Sequence, residues 1–397
     1  MKIIKAILRF WNQYNFVGRL FWTATMAISF LGMITFCYFT FKRYFSDPVS
    51  MIVDTEYIHW NFSFPAVSIC LIKGKFSSSL IPLIDKFNIT YKGSKTNFLR
   101  LVHTCMFENS LRFDLTQLKK CGELESVYGI DVEEINAMVL PQDCKQILDF
   151  LSFNNKLLIN CSRFLKFHKT EIGYCFIFNT IIDNNFSFEN LKSKYTYFSK
   201  TKKLSMRLKG FKLWRYTVQV HSPEEIPFFN SISKEMYTSE ILHSYSVEIV
   251  TTNLDASKKS IGQRGCRFPH EKLNGSPFHY SFSTCMSFLK IQLELKECNC
   301  THPSSPEIYR SSYCDLSGKI CLLNGNINSK VFYLAMKEDI CVPSCIEQIL
   351  EYSGQSELGS KDNDSSTDIT IEVLNTPTSR FKRSVIRTKL DLAGKKN

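Results

Sequence analysis

From Leu20 to Phe41 the chain runs 22 residues without a charge, LFWTATMAISFLGMITFCYFTF. A helix rises about 1.5 Å per residue, so this run covers roughly 33 Å, enough for a hydrocarbon core of about 30 Å. Val67–Ile72 is too short to span, and Ile147–Phe153 is both short and interrupted by Asp149. A secretory signal would have a shorter apolar region and a small-residue cleavage site. This run ends instead in Phe-Thr-Phe-Lys-Arg-Tyr-Phe and reads as an anchor. Lys2, Lys5, Arg9 and Arg19 precede it with no acid, whereas Lys42 and Arg43 are followed by Asp47, Asp54 and Glu56. That asymmetry predicts a cytoplasmic N-terminus.

Beyond the anchor the periodicity changes several times. Val132–Phe153 reads as a helix broken at Pro141, with Ile147, Leu148 and Leu151 on one face. Residues 160–250 alternate apolar and polar, with many Tyr, Phe and Thr, and predict strands. Phe278, Phe282, Cys285 and Leu289 recur at helical spacing, which puts Lys290, Glu294 and Glu297 on the other faces of a helix. Ser353–Asp368 is rich in Ser, Gly and Asp and reads as a flexible loop. Asp368–Leu374 then alternates as a strand, with Ile369, Ile371 and Val373 on one side. Arg380–Asn397 is basic and has no apolar run.

Composition places the chain among folded proteins, at 397 residues with 44% hydrophobic and 22% charged. Its net charge is +12. Asn190–Pro223 has no acid and mixes basic residues with Tyr195, Tyr197, Phe198, Phe211 and Trp214, a pattern that could serve a nucleic-acid surface. The compartment argues against that partner, and the segment is expected to be the solvated face of a β-rich region.

Cysteines set the compartment. Cys37 lies inside the anchor, and the other fourteen, an even number, all follow it. Seven Asn-x-Ser/Thr sequons also lie downstream, at Asn61, Asn88, Asn160, Asn185, Asn274, Asn299 and Asn363, and none upstream. Pro277 weakens Asn274 as an acceptor, and Asn61 is close to the bilayer. Asn88, Asn160, Asn185, Asn299 and Asn363 are the glycosylation candidates. Together these features predict an oxidising, extracellular location. Cys298-Asn-Cys300 and Cys341-Val-Pro-Ser-Cys345 do not repeat the two-knuckle spacing of structural zinc. A one-residue spacer also prevents Cys298 and Cys300 from bonding each other comfortably, so each must pair elsewhere.

Catalytic constellations are missing from the sequence: there is no Gly-x-Ser-x-Gly, no His-Glu-x-x-His and no phosphate loop. His270 and His279 read as surface or core residues. Neither an enzyme nor a cofactor is expected.

Several segments, taken in order, resemble one family. Arg19-Leu20-Phe21-Trp22 is similar to the opening of the first helix of degenerin/epithelial sodium channels, and Phe64-Pro65-Ala66-Val67-Ser68-Ile69-Cys70 to the signature just outside it. Gly173-Tyr174-Cys175-Phe176-Ile177-Phe178-Asn179 resembles the family's Gly-x-Cys-x-x-Phe-Asn. His221-Ser222-Pro223 with Pro227 resembles its His-Ser-Pro turn. Tyr280-Ser281 before Cys285, then Cys298, Cys300, Cys314, Cys321 and Cys341-x-Pro343-x-Cys345, resemble its thumb. The likeness, of the pickpocket type, covers about residues 15–393.

The resemblance implies a membrane-anchored α+β fold. One N-terminal transmembrane helix would carry a large disulfide-rich extracellular domain, with a β-rich palm and β-ball and a helical finger and thumb. It divides the chain into a cytoplasmic tail (1–19), a first transmembrane helix (20–41), an ectodomain (42–393, thumb about 278–352) and an end (394–397) where a second transmembrane helix would start. It implies the pairs Cys70–Cys175, Cys266–Cys345, Cys285–Cys341, Cys298–Cys321 and Cys300–Cys314. Cys105, Cys121, Cys144 and Cys161 remain, and proximity suggests Cys105–Cys121 and Cys144–Cys161. Leu289 and Asp339 stand where the family has a further cysteine pair, so a thumb of four rungs is expected. The family's His-Gly motif before the first helix is missing, because the first histidine is His59.

For function, the resemblance implies an amiloride-sensitive, sodium-selective cation channel of the plasma membrane, assembled as a homo- or hetero-trimer with other channel subunits in lipid. The second helix with its Gly-x-Ser filter is not in the sequence, so an incomplete or truncated subunit is expected. The alternative is a non-conducting membrane-anchored regulatory or binding protein.

Overall fold

The structure is a computed structural model. It describes residues 15–46, 48–54, 64–74, 101, 105, 115–128, 141, 143–182, 202–209, 214–228, 234–235, 241–337, 340–357, 366–374 and 380–386. These divide into two compact units. The smaller gathers Met1–Ile52, Thr252–Gly265 and Arg383–Asn397, and the larger holds Val53–Thr251 and Cys266–Lys382.

In the smaller unit, α1 (Phe16–Ser46) is a single helix longer than the uncharged run that marks it in the sequence. Its most apolar 18-residue stretch has a mean hydropathy of 1.7, and none of that stretch is buried against protein. Thr23, Thr25, Thr35 and Thr40 each donate a side-chain hydrogen bond to the carbonyl four residues back, at 2.6–3.0 Å. The hydroxyls therefore bring no unsatisfied donor into an apolar surrounding. Strand β1 (Val49–Val53) follows.

The larger unit is a two-sheet β core with helices attached. One sheet has the order β5-β6-β2-β8-β9, formed by β2 (Ala66–Gly74), β5 (Leu165–Thr170), β6 (Gly173–Phe178), β8 (Trp214–His221) and β9 (Lys234–Glu235). The other carries β10 (Ile241–Thr252), β12 (Thr367–Val373), β7 (Lys202–Leu208), β3 (Leu148–Phe153) and β4 (Lys156–Leu157) in that order, and β11 (Glu347–Glu357) also pairs with β10. Val67, Ile69 and Leu71 from the first sheet share a core with Leu204, Met206, Ile369 and Ile371 from the second. The alternation written into Asp368–Leu374 appears directly, with Ile369, Ile371 and Val373 at most 1% exposed.

Three local expectations are corrected. Leu148–Phe153 is a strand, not part of a helix. Its register against β7 shifts between Leu148 and Phe150, so one extra residue turns Leu148 and Leu151 to the same buried side. A β-bulge thus reproduces the three-residue spacing of a helical face. Residues 353–357, expected in a loop, continue β11 to Glu357 because β10 offers partners through a second irregularity. Lys202, expected on a solvated face, is 5% exposed. Residues 132–140 and 190–201 lie outside the described residues.

Outside the core, α2 (Leu115–Tyr128) precedes β3, and α3 (Cys161–Phe164) leads into β5. In the smaller unit α4 (Leu254–Ser257) and α5 (Ile261–Arg264) follow β10. The helical region then comprises α6 (Phe282–Cys298), α7 (Leu316–Asn324) and α8 (Ile327–Lys337). Strand β13 (Arg380–Val385) closes the described chain.

Candidate functional site

Three features of the larger unit hold the residues singled out in the sequence. The first is the pairing of β2 with β6. Cys70 and Cys175 face each other across the ladder and form a disulfide with Cα atoms 4.0 Å apart. Both side chains, with Ala66 and Ile177, cover the side of the sheet opposite the main core. Gly173 begins β6 at φ +138°, where a Cβ would stand 2.6 Å from the Leu71 carbonyl oxygen, so only glycine fits. Tyr174 stacks on Phe167 at 6.1 Å between ring centres. Asn179 ends the strand in the left-handed region, φ 58°, and its amide donates to the Phe64 carbonyl. The rings of Phe64 and Phe178 meet edge to face. Pro65 joins Phe64 to the strand, and Ala66 and Val67 are fully buried in it.

The His221-Ser222-Pro223 turn closes against the same strand. His221 Nδ1 lies 2.8 Å from the Ser222 carbonyl oxygen, so this nitrogen carries the proton and donates. Nε2 then accepts from Ser68 Oγ at 2.6 Å. Burial holds the imidazole down to about 4 against the opposing pull of its bond to Ser222, and it stays neutral. Ser222 in turn donates to Glu224. Burial raises the Glu224 carboxyl, and it raises Glu225 to about 7, helped by Glu347 and Glu224 nearby.

The second feature is the set of cystines. Cys266–Cys345, Cys285–Cys341, Cys298–Cys321 and Cys300–Cys314 surround α6. Cys105–Cys121 and Cys144–Cys161 lie nearer the β core in sequence. Helix α6 begins with a capping box, in which Ser281 and Thr284 each accept the other's backbone N–H. It ends at Asn299, φ 57°. Arg267 N–H donates to the Pro343 carbonyl and Arg267 C=O accepts from Cys345 N–H, so the Cys266–Cys345 link sits within a paired backbone. Leu289 is part of the apolar cluster around Tyr280 and Met286, while Asp339 lies outside the described residues. Asp143 comes within 4.8 Å of Cys144 and Cys161, a spacing a metal could use. Those two sulfurs are bonded to each other, and the carboxylate accepts from Lys145 N–H and Ser162 Oγ.

The third feature was not anticipated. Lys290 and Glu294, on faces of α6 other than the Phe282–Cys285–Leu289 face, are 4% and 2% exposed. Lys290 Nζ stands 3.7 Å from Glu171 Oε2, in the turn between β5 and β6, and 3.9 Å from Glu294 Oε1. Glu294 Oε2 accepts from Thr301 Oγ1 at 2.6 Å and from His302 N–H at 3.0 Å. Burial raises the Glu294 carboxyl, and Lys290 with these hydrogen bonds works against that rise. His302 Nδ1 faces Ser304 N–H and Oγ, so it acts as the acceptor. Burial, with Lys290, Lys319 and Lys169 adding to it, drives that imidazole well below its usual range. The i,i+4 spacing of Lys290 and Glu294 was the one sequence signal available. It is equally common on wet surfaces, and nothing local marks Glu171 as their partner.

Of the glycosylation candidates, Asn160 and Asn299 are exposed, and Asn88, Asn185 and Asn363 lie outside the described residues.

A family model described as amiloride-sensitive sodium channel matches residues 4–394. No curated protein matches the chain.

Proposed function

The chain belongs to the amiloride-sensitive sodium channel family, and from that premise we propose that it is a subunit of a trimeric, sodium-selective, amiloride-blocked channel. Members of this family are plasma-membrane channel subunits that assemble with others. In the proposed arrangement residues 1–19 are cytoplasmic, α1 crosses the bilayer and the cystine-rich unit faces outward. Lipid surrounds the apolar surface of α1, and partner subunits complete the pore. Asn88, Asn160, Asn185, Asn299 and Asn363 are proposed glycan acceptors.

The observation that carries this reading is the family match over nearly the whole chain. The physical chemistry agrees with it. A helix whose apolar stretch is not buried in protein suits lipid, and a domain with seven cystines suits an oxidising exterior. An ion crossing hydrocarbon needs groups that replace its water shell. Leu20–Phe41 carries no such charged group, so this span is proposed as support for a pore lined by further helices.

Co-expression of the chain with a full-length relative in oocytes tests the reading. Co-purification as trimers and a changed amiloride-sensitive sodium current are expected. Stable surface monomers that leave the current untouched would overturn it in favour of a membrane-anchored binding module.

A further inference from the structure

The Lys290–Glu294 pair opens into a cavity of about 260 Å³. Helix α6 supplies the two charges, the chain after it supplies His302, and Leu118 of α2 closes one side. The end of α7 and the start of α8 form the rest, with Leu322, Leu323 and Ile327 as apolar wall and Asn326, Asn328 and Ser329 as polar wall.

Three observations limit what such a space can take. The volume is below that of most ligand pockets, roughly 300–1,000 Å³, so the ligand is small. The cavity presents a positive and a negative group side by side, 3.9 Å apart, both more than nine-tenths buried. Adding a net charge to a buried place costs heavily unless it is matched, whereas a molecule carrying one charge of each sign leaves the local balance unchanged. The remaining lining is divided between aliphatic carbon and neutral hydrogen-bonding groups, a surface suited to an amphipathic body.

We propose that this cavity binds a free aliphatic α-amino acid as its zwitterion. The carboxylate lies against Lys290 Nζ, the ammonium against Glu294 Oε1, and the side chain against Leu118, Leu322, Leu323 and Ile327. The spacing between Lys290 and Glu294 is close to that between the two charged groups of an α-amino acid, which would lie antiparallel to the pair. Glu294 Oε2 is already occupied by Thr301 and His302, which fixes the carboxylate plane and leaves Oε1 as the oxygen for a ligand. Lys290 also pairs with Glu171 at the β5–β6 turn, so the bound molecule would rest on a contact joining α6 to the sheet that carries Cys175. The site does not depend on the channel reading, and its test does not use current.

The test is binding to the purified full chain in nanodiscs, by calorimetry or thermal shift. L-leucine is compared with 4-methylpentanoate, which lacks the ammonium, and with 3-methylbutylamine, which lacks the carboxylate. Saturable L-leucine binding is expected, with each analogue weaker by about tenfold or more. Leu323→Trp, which fills the cavity from its apolar wall, should abolish binding in a protein that retains its cystines. A site holding water only, seen as no saturable binding of L-leucine, L-valine or L-isoleucine up to millimolar concentration, overturns the proposal. Equal binding of L-leucine and both analogues overturns it as well, because charge pairing would then play no part.

Discussion

Ser68 Oγ lies 2.6 Å from Nε2 of His221, so β2 is tied by a side-chain hydrogen bond to the turn ending β8. Ser68 is fully buried, so its hydroxyl has no bulk water to turn to. A buried donor left without its acceptor costs about 1–3 kcal/mol. His221→Phe should therefore lower the melting temperature of the ectodomain, and Ser68→Ala should cost less, because His221 keeps its bond to the Ser222 carbonyl. A double-mutant cycle by thermal denaturation should show non-additivity. Strictly additive losses would mean that the two groups do not interact.

The same turn predicts two opposed pH dependences. Glu225 takes up its proton near 7 in the folded chain, above the ordinary carboxyl value of 4.5, so folding binds a proton and stability from this group falls as pH rises through that window. His221 is held down to about 4, below its ordinary 6.5, so its contribution is lost as pH falls through its own window. Between about pH 4.5 and 6.5 the two slopes largely cancel. Relative to wild type, Glu225→Gln should tilt the melting temperature upward with pH in this range, and His221→Gln should tilt it downward. Parallel curves for wild type and both variants would refute the assignment.

Gly318 leaves no room for a side chain. A Cβ at this position would lie 2.3 Å from Cys300 Sγ and 2.9 Å from Cys314 Cβ. Real atoms do not approach so closely, so Gly318→Ala must displace the Cys300–Cys314 bridge or the start of α7. Peptide mapping under non-reducing conditions should recover less of the Cys300–Cys314 peptide, with Cys70–Cys175 unchanged. Full recovery of both pairs, with unaltered stability, would show that the helix shifts freely.

The membrane helix and the strand Asp368–Leu374 were legible because each is a periodic run whose partner, lipid or core, is uniform. Residues 147–151 were misread because a bulge and a helix turn give the same three-residue apolar spacing, and only the partner strand tells them apart. The burial of Lys290 and Glu294 is illegible for a related reason. Charged residues at helical spacing are solvated by default, and these two are buried only because Glu171, more than a hundred residues earlier, and Thr301 with His302 meet them. Such a cluster is a product of tertiary contact, and no window of sequence contains it.

That cluster supports the last prediction. Lys290 sits between Glu171 and Glu294, and removing one member of a buried ion pair typically costs about 3–5 kcal/mol, because the remaining charge is stranded. Lys290→Met should be severe, and Glu171→Gln milder, since Glu294 still faces the ammonium. Exchanging the charges, Glu171→Lys with Lys290→Glu, should not restore stability, because residue 290 would then place a second carboxylate one turn from Glu294. Losing Lys290 also removes the attraction that opposes the raised affinity of Glu294 for its proton. The folded Lys290→Met chain then holds that proton to higher pH than the unfolded one, so its melting temperature should fall more steeply than the wild type's as pH rises above the ordinary carboxyl range. Thermal denaturation across that rise reads both effects, and a charge exchange that melts like wild type would show that Glu294 does not sense residue 290.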